Sequence, residues 1–401
     1  MRNTGLLKKF YLVRVKRFIT RNILILSFVS LFTDVASEML YPVMPVYLKE
    51  IGFSMVLIGL LEGIAEATAG LSKGFFGKWS DQSGRRLPFV QLGYLLSAVS
   101  KPLMVVFTFP FWIFGARTLD RLGKGIRTSA RDAMLSDETT SEHKGQVFGF
   151  HRALDTLGAA IGPLVALAYL SFYPGDYKTL FTLAFIPGLL TVALSMIIRE
   201  KKGVATASPL GKNKFFSYLG YWNKASAGYK TTVTALMLFT LFNSSDVFLL
   251  LLLKYKGFDD SSLLTVYIFY NLVYALLAYP AGLLGDQYGL KNNLLIGIFL
   301  FALTYGLITL AETHWQVFGV FFLYGGYSAF IEGSSKAILT NQSDNKDTAT
   351  AIGFYSSFNS LLLLAASFLA GLLWHNFGPT VTFVASAAGT LSAAVLLWRS
   401  K

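Results

Sequence analysis

Apolar runs of about 20 residues, separated by short polar breaks, repeat along the whole chain. That is the length a helix needs to cross a bilayer core. The pattern predicts twelve spans: 22–48, 54–76, 88–108, 111–133, 146–171 and 178–198, then 231–254, 262–284, 292–311, 315–340, 350–374 and 379–398. All should be helical, because an unpaired backbone group facing lipid finds no water to bond. The stretch 201–230 is rich in Lys, Gly and Ser, holds Pro209, and reads as a linker. The expected organisation is a basic N-terminus (1–21), a six-helix bundle (22–200), the linker (201–230) and a second six-helix bundle (231–398).

Composition agrees with that reading. The 401 residues are 54% hydrophobic and 14% charged, with mean hydropathy +0.53. Soluble domains carry about a quarter charged residues. The net charge of +13 is unevenly placed. Cations gather at the N-terminus, around Lys73 to Arg86, in the linker and at Arg399 and Lys401. With an even number of spans these segments share one side. The opposite loops, such as Phe109-Pro110 and Tyr173 to Lys178, are short and nearly uncharged. The positive-inside rule therefore puts both termini and the linker in the cytoplasm, as in a bacterial inner membrane. This placement argues against nucleic acid as a partner. The residues Leu6 to Ile19 mix cations with apolar side chains, as an ordinary basic tail or a helix lying on an anionic leaflet would. Cysteine is absent, so neither disulfides nor thiolate metal sites arise. The first run is too long for a signal-peptide core and contains Asp34 and Glu38, so it is expected to be retained.

One short motif occurs twice. Gly77-x-x-x-Asp81-x-x-Gly84-Arg85-Arg86 recurs as Gly282-x-x-x-Asp286-x-x-Gly289-Leu290-Lys291, at an offset of 205 residues. Arg131 aligns with Lys336 and Arg127 with Glu332 at the same offset. An internal repeat over two membrane halves is a common plan of secondary transporters. In chemical terms Asp81 can accept bonds from Arg85 or Arg86 and from a helix N-terminus, while Gly77 permits close packing and Gly84 a tight turn.

These residues resemble the cytoplasmic signature of the major facilitator superfamily between its second and third helices. The copy at Gly282, Asp286 and Gly289 resembles that family's degenerate repeat. The resemblance covers nearly the whole chain. It implies an all-α membrane fold of twelve helices in two pseudo-symmetric six-helix bundles, with a mid-membrane cavity that opens to alternate sides. The paired motifs would then gate the cytoplasmic side. Arg121-Leu-Gly-Lys124-Gly125 is similar to the family's Arg-x-x-Gln-Gly motif, whose Arg is linked to proton coupling, with Lys124 in place of Gln. Gly158-x-x-x-Gly162-Pro163 is similar to the front of the antiporter motif and would kink the fifth helix, although the trailing Gly pair is missing. Thr33 to Pro42 looks like the acidic first helix of multidrug exporters.

Ionisable groups at bilayer depth are costly and mark functional sites by default. Asp34 and Glu38 share a face of the first span, as Glu62 and Glu66 do in the second. In the fourth span Arg117, Arg121, Lys124 and Arg131 fall within roughly 80° of one another. Such a stripe must meet partner carboxylates or a water-filled cavity. Arg152 and Asp155 in the fifth span, Asp246 in the seventh, and Glu332 and Lys336 in the tenth complete the candidates. The bland reading is that these charges pair with each other: Arg152 with Asp155, Glu332 with Lys336 along one helix, and Lys101 with an acid of the second span. In the functional reading Asp34 and Glu38 accept protons, Arg121 holds a carboxylate ionised, and the basic stripe attracts an anion.

The expected activity is proton-coupled efflux of a small organic solute by alternating access. The alternatives are proton-coupled uptake of an organic anion or iron-chelate, and divalent-metal export through Asp34, Glu38, His151 and Asp155. No cofactor is expected, the partners are substrate, protons and lipid, and the chain should work as a monomer. The reading from a different class is a non-transporting receptor. An enzyme is disfavoured, since neither a nucleotide-binding Gly-rich loop nor His-Glu-x-x-His is present.

Overall fold

A computed structural model describes residues 19–200 and 214–399. The cations before residue 18, and linker residues 201–213, lie outside the described residues. Among the described residues the chain is helical throughout, with no strand. The spans run in order Arg21–Glu38 with Met44–Glu50, Met55–Ser83, Leu87–Val106, Pro110–Asp137, Lys144–Phe172, and Tyr177–Leu183 with Phe185–Met196. The second half gives Ala227–Phe242 with Val247–Tyr255, Asp260–Tyr288, Leu290–Leu307, His314–Asn341, and Thr348–Arg399, which Gly378 divides in two. They are called the first to twelfth spans below.

Local chemistry sets these boundaries. Hydroxyl and carboxylate caps start several helices: Thr20 accepts from Ile23 N–H, Ser54 from Leu57 N–H, Ser226 from Tyr229 N–H and Asp259 from Ser262 N–H. Thr313 and Gln316 form a capping box on the tenth span. Gly84, at φ 68°, ends the second span in the left-handed region. Gly378 adopts φ 84° and precedes Pro379, which separates the last two spans. Two spans are broken at depth. The first breaks before Pro45, and the seventh unwinds over Asn243 to Asp246, the polar cluster noted in the sequence.

Both chain connections meet at one end of the molecule, here the linker end. Asn22 donates to the Arg199 carbonyl at 2.6 Å, Glu200 accepts from Arg86 N–H at 2.5 Å, and Lys291 donates to the Trp398 carbonyl at 3.2 Å. The linker is not bare coil where it is described. Phe215–Gly220 and Tyr221–Lys224 are helical turns, and the seventh span starts at Ala227 rather than at 231. Phe215 stacks on Phe75, Lys78 donates to the Ser217 carbonyl, and Trp222 stacks on Phe354. These described turns therefore touch both halves.

Packing differs between the halves. The second half holds one continuous aromatic core, with Phe239, Phe301, Tyr305 and Tyr324 at its centre. The first half holds two apolar cores, one around Leu48, Leu61 and Ile113 and one at the linker end around Leu26, Val90 and Leu135. Between them lie the charges of the fourth span, whose pairing demands a polar layer. Outward-facing Leu276, Phe299 and Phe368 stay exposed, as lipid contact requires.

The halves meet where the second span packs on the eleventh and the fifth on the eighth. Glycine makes both contacts possible. A Cβ at Gly145 would stand 2.6 Å from the Gly282 carbonyl, and one at Gly353 would stand 2.5 Å from the Lys73 carbonyl.

Candidate functional site

The repeated motif sits at the linker end of those two contacts. Asp81, in the last turn of the second span, is buried. It accepts from the N-terminus of the eleventh span: Thr350 N–H at 2.7 Å, Ala349 N–H at 3.3 Å and the Thr350 hydroxyl at 2.8 Å. Four orphan N–H groups and the positive end of the helix dipole make that terminus an anion site. Arg86 donates to Asp81 at 2.8 and 3.2 Å, to Asp137, and to the Asn345 carbonyl at 3.1 Å. Arg85 is exposed and leaves Asp81 to Arg86. A Cβ at Gly77 would collide with the Ala349 carbonyl.

The second copy repeats this geometry with the halves exchanged. Asp286 accepts from Gly145 N–H and Gln146 N–H, both at 2.8 Å, at the start of the fifth span. Gly289 adopts φ 99° beside it. The sequence puts Leu290 and Lys291 where the first copy has its Arg pair, and Lys291 bonds the Trp398 carbonyl. Both motifs thus join the halves through an acid on a helix N-terminus, and the linker end is closed.

Beyond this closed end lie two adjoining cavities between the halves, of about 370 and 710 Å³. Glu38, Lys124, Arg152, Tyr274 and Glu332 line both. The smaller, nearer the lock, is walled by charge: Asp34, Lys73, Arg127, Arg131, Asp155 and Lys336 complete it. The larger is walled by phenols, with Tyr267, Tyr270, Tyr324 and Tyr327 from the second half. Asp246 lines it and accepts from Tyr324 at 2.5 Å, while Asn243 donates to Tyr327 at 2.9 Å.

Most charges of the smaller chamber are paired, often across the halves. Arg152 donates to Asp155 and to Glu332, both at 2.6 Å. Lys336 meets Asp132 at 2.8 Å, and Arg131 bonds the same carboxylate at 2.9 Å. Glu332 and Lys336 therefore each reach a charge on the opposite half and do not pair along their own helix. Asp155 also accepts from Ser30. Asp34 lies against Gly158, a Cβ there falling 3.1 Å from the Asp34 Cβ, and lines the chamber together with Asp155. Glu38, Lys73 and Lys124 make no side-chain hydrogen bond or ion pair among the described residues.

The structure corrects part of the basic stripe. Arg117 forms a two-bond pair with Glu62 at 2.8 and 2.9 Å, and Arg121 meets Glu66 at 3.2 Å. Both are buried, and neither lines the two cavities. Carboxylates one span away claim them before the cavity does. Lys101 pairs with Asp120 of the fourth span at 3.1 Å, not with an acid of the second. Arg127 lies over the Tyr94 ring at 4.8 Å and bonds Ser97. Gly158 and Gly162 let the first span approach closely: a Cβ at Gly162 would stand 2.9 Å from the Val35 carbonyl. The fifth span stays helical through Pro163.

Sequence reasoning passed over Asp132, which is 0% exposed and joins Arg131 to Lys336. It also passed over Lys73 and the tyrosine wall. Lys73 carried a signal, being a cation one turn inside the motif. His151 is buried with neither ring nitrogen hydrogen-bonded among the described residues. No three His, Asp or Glu side chains among the described residues converge as a metal site, so the divalent-metal reading lacks a ligand set.

The sequence profile described as Major Facilitator Superfamily matches residues 26–272 and 232–401. The chain belongs to that superfamily. It is an integral membrane protein with the transporter fold of the family. An uncharacterised transporter of this family from Methanocaldococcus jannaschii is 30% identical over 391 residues, 95% of each chain. Citrate exporter 1 of Aspergillus niger is 26% identical over 205 residues, 48% of this chain and 37% of that one. The quinolone resistance protein NorA of Staphylococcus aureus is 23% identical over 194 residues, 48% of each. The solved structure of the human organic anion transporter MFSD10 superposes with a TM-score of 0.82 at 16% identity, over 94% of this chain and 99% of that one. That last likeness speaks to fold alone.

Proposed function

We propose that this protein is a proton-coupled secondary transporter that exports a small organic anion. The observation that carries the reading is the pair of free ammonium groups, Lys73 and Lys124, in a mid-molecule chamber whose other cations are already paired. Among the described residues the lining holds six cations against four carboxylates, Glu38 among them, and that cationic excess favours an anionic guest. The adjoining phenol-walled chamber, about 710 Å³, has the size of an ordinary small-molecule site and suits an organic body.

Coupling belongs to Asp34, Glu38 and Asp155. Asp34 and Asp155 line the same chamber at bilayer depth, a pair of carboxyls placed to carry a proton. Arg131 and Arg152 flank that pair, so an anion arriving at the same cations changes how firmly the proton is held. Alternating access follows from the lock: the linker end opens when Asp81 and Asp286 leave their helix termini. The excess of cations at that end makes it cytoplasmic, in a plasma membrane of bacterial inner-membrane type. The relative named for citrate export favours the outward direction.

The test is transport in proteoliposomes with imposed pH gradients. Flux of organic anions should follow the gradient in the native chain. In Asp34→Asn it should lose that dependence while anion-for-anion exchange persists. Flux of organic cations alone, or anion flux indifferent to the pH gradient, would overturn the reading.

A further inference from the structure

Lys73 and Lys124 are close neighbours by construction. The second and fourth spans touch where Gly125 meets Ser72, and a Cβ at Gly125 would stand 3.1 Å from the Ala69 carbonyl. The residues beside that contact are Lys73 and Lys124, and both enter the 370 Å³ chamber. Ser129 bonds the Lys73 carbonyl at 3.1 Å and Gly353 packs on it, so the backbone carrying Lys73 is held from two further spans. The remaining cations of the chamber are engaged: Arg131 and Lys336 by Asp132, Arg152 by Asp155 and Glu332, Arg127 by Ser97 and the Tyr94 ring. The two ammonium groups repel each other, neither forms an ion pair with Glu38 of the same chamber among the described residues, Glu66 is taken by Arg121, and a single negative charge offsets only one of them.

We propose that the substrate carries a dianionic head group, a phosphate monoester or a pair of carboxylates on one carbon, held between Lys73 and Lys124. Its organic body extends past Lys124 into the tyrosine-walled chamber. This names the substrate class of the anion site and rests on the organic-anion reading above. Lys124 is the turning point, because it borders both chambers. Lys73 gives the site a mechanical address. It lies eight residues before Asp81 on one helix, about 12 Å along the axis, and its carbonyl is packed on the eleventh span that Asp81 holds shut. A head group seated there touches the two helices that must part.

Binding is measured by titration calorimetry on the purified full chain at neutral pH, with two pairs of probes matched in body. Phenyl phosphate is compared with phenyl sulfate, and 2-benzylmalonate with 3-phenylpropionate. The expected result is about tenfold tighter binding of the dianion in at least one pair, the gain of one charge-assisted contact. The pair that shows it identifies phosphate or dicarboxylate as the head. Lys73→Gln and Lys124→Gln should each erase the roughly tenfold preference for the dianion. Lys73→Arg, which keeps the charge, should retain the preference and so separates charge loss from misfolding. Equal affinity within both pairs would overturn the dianion proposal and leave the organic-anion reading standing. Absence of binding by all four compounds to the native chain would overturn both.

Discussion

Removing the charge of Asp81 should unlock the linker end far more than removing that of Asp286. In Asp81→Asn the amide keeps one acceptor oxygen but loses the charge that faces Thr350 N–H, Ala349 N–H and Arg86. Arg86 then stays buried with Asp137 as its remaining carboxylate. Loss of one partner from a buried charge pair costs about 3 kcal/mol, roughly a hundredfold in the closed-to-open ratio. In Asp286→Asn the loss is confined to two N–H groups, with no arginine left behind. That costs about 1–1.5 kcal/mol, roughly tenfold. The chain lacks cysteine, so paired spin labels can be placed at Arg85→Cys and Lys346→Cys without background. Both positions are exposed, and they flank the Arg86 bond to the Asn345 carbonyl that crosses the halves. Double electron–electron resonance should show the long-distance population rising strongly in Asp81→Asn and modestly in Asp286→Asn. Transport should fall more than ligand binding. An equal shift in the two variants, or an unchanged distribution in Asp81→Asn, would refute the helix-terminus lock.

Two other outcomes follow from the same geometry. Arg117→Gln should lower the thermal midpoint in detergent by breaking the pair with Glu62, a loss of about 1–2 kcal/mol once the half-exposed Glu62 is discounted. Substrate preference should be unchanged, because Arg117 does not line the cavities, and altered preference would contradict that placement. Asp259 caps the eighth span, and its bond from Ser262 holds its carboxyl below the ordinary value. Its contribution is therefore present above the usual Asp range and fades as pH falls through the lowered value. Asp259→Ala should reduce the thermal midpoint at neutral pH and converge with the native chain as pH falls below the lowered value, whereas a pH-independent difference would rule this cap out.

The spans were legible because bilayer thickness imposes a run length that few other constraints imitate. The lock acid was legible too, since an Asp flanked by glycines and arginines at a polar break has few structural uses. Partner choice was not. A helical wheel places Arg117, Arg121, Lys124 and Arg131 on one side but says nothing of which neighbour covers each turn. Glu62 and Glu66 cover the outer two, and the cavity receives Lys124. Asp132 escaped because it steps off the stripe to meet Lys336 from another half, a contact set by tertiary packing alone. The tyrosine wall was invisible for a different reason. In an apolar helix a ring bound for lipid and a ring bound for a cavity leave the same trace, and only the break at Asn243 to Asp246 hinted at the site.

The eleventh span offers Asp81 chiefly its main chain, and the fifth offers Asp286 two main-chain donors. At position 145 a Cβ would stand 2.5 Å from the Asp286 carboxylate, so any side chain disturbs the contact, but replacement at 349 or 146 leaves those amide donors in place, and a mutational scan there would largely overlook the latch. Proline is the exception, since it alone deletes the donor. Drift in one half can therefore leave the other half's acid satisfied, and the two repeats are free to diverge in sequence while the closure they share persists.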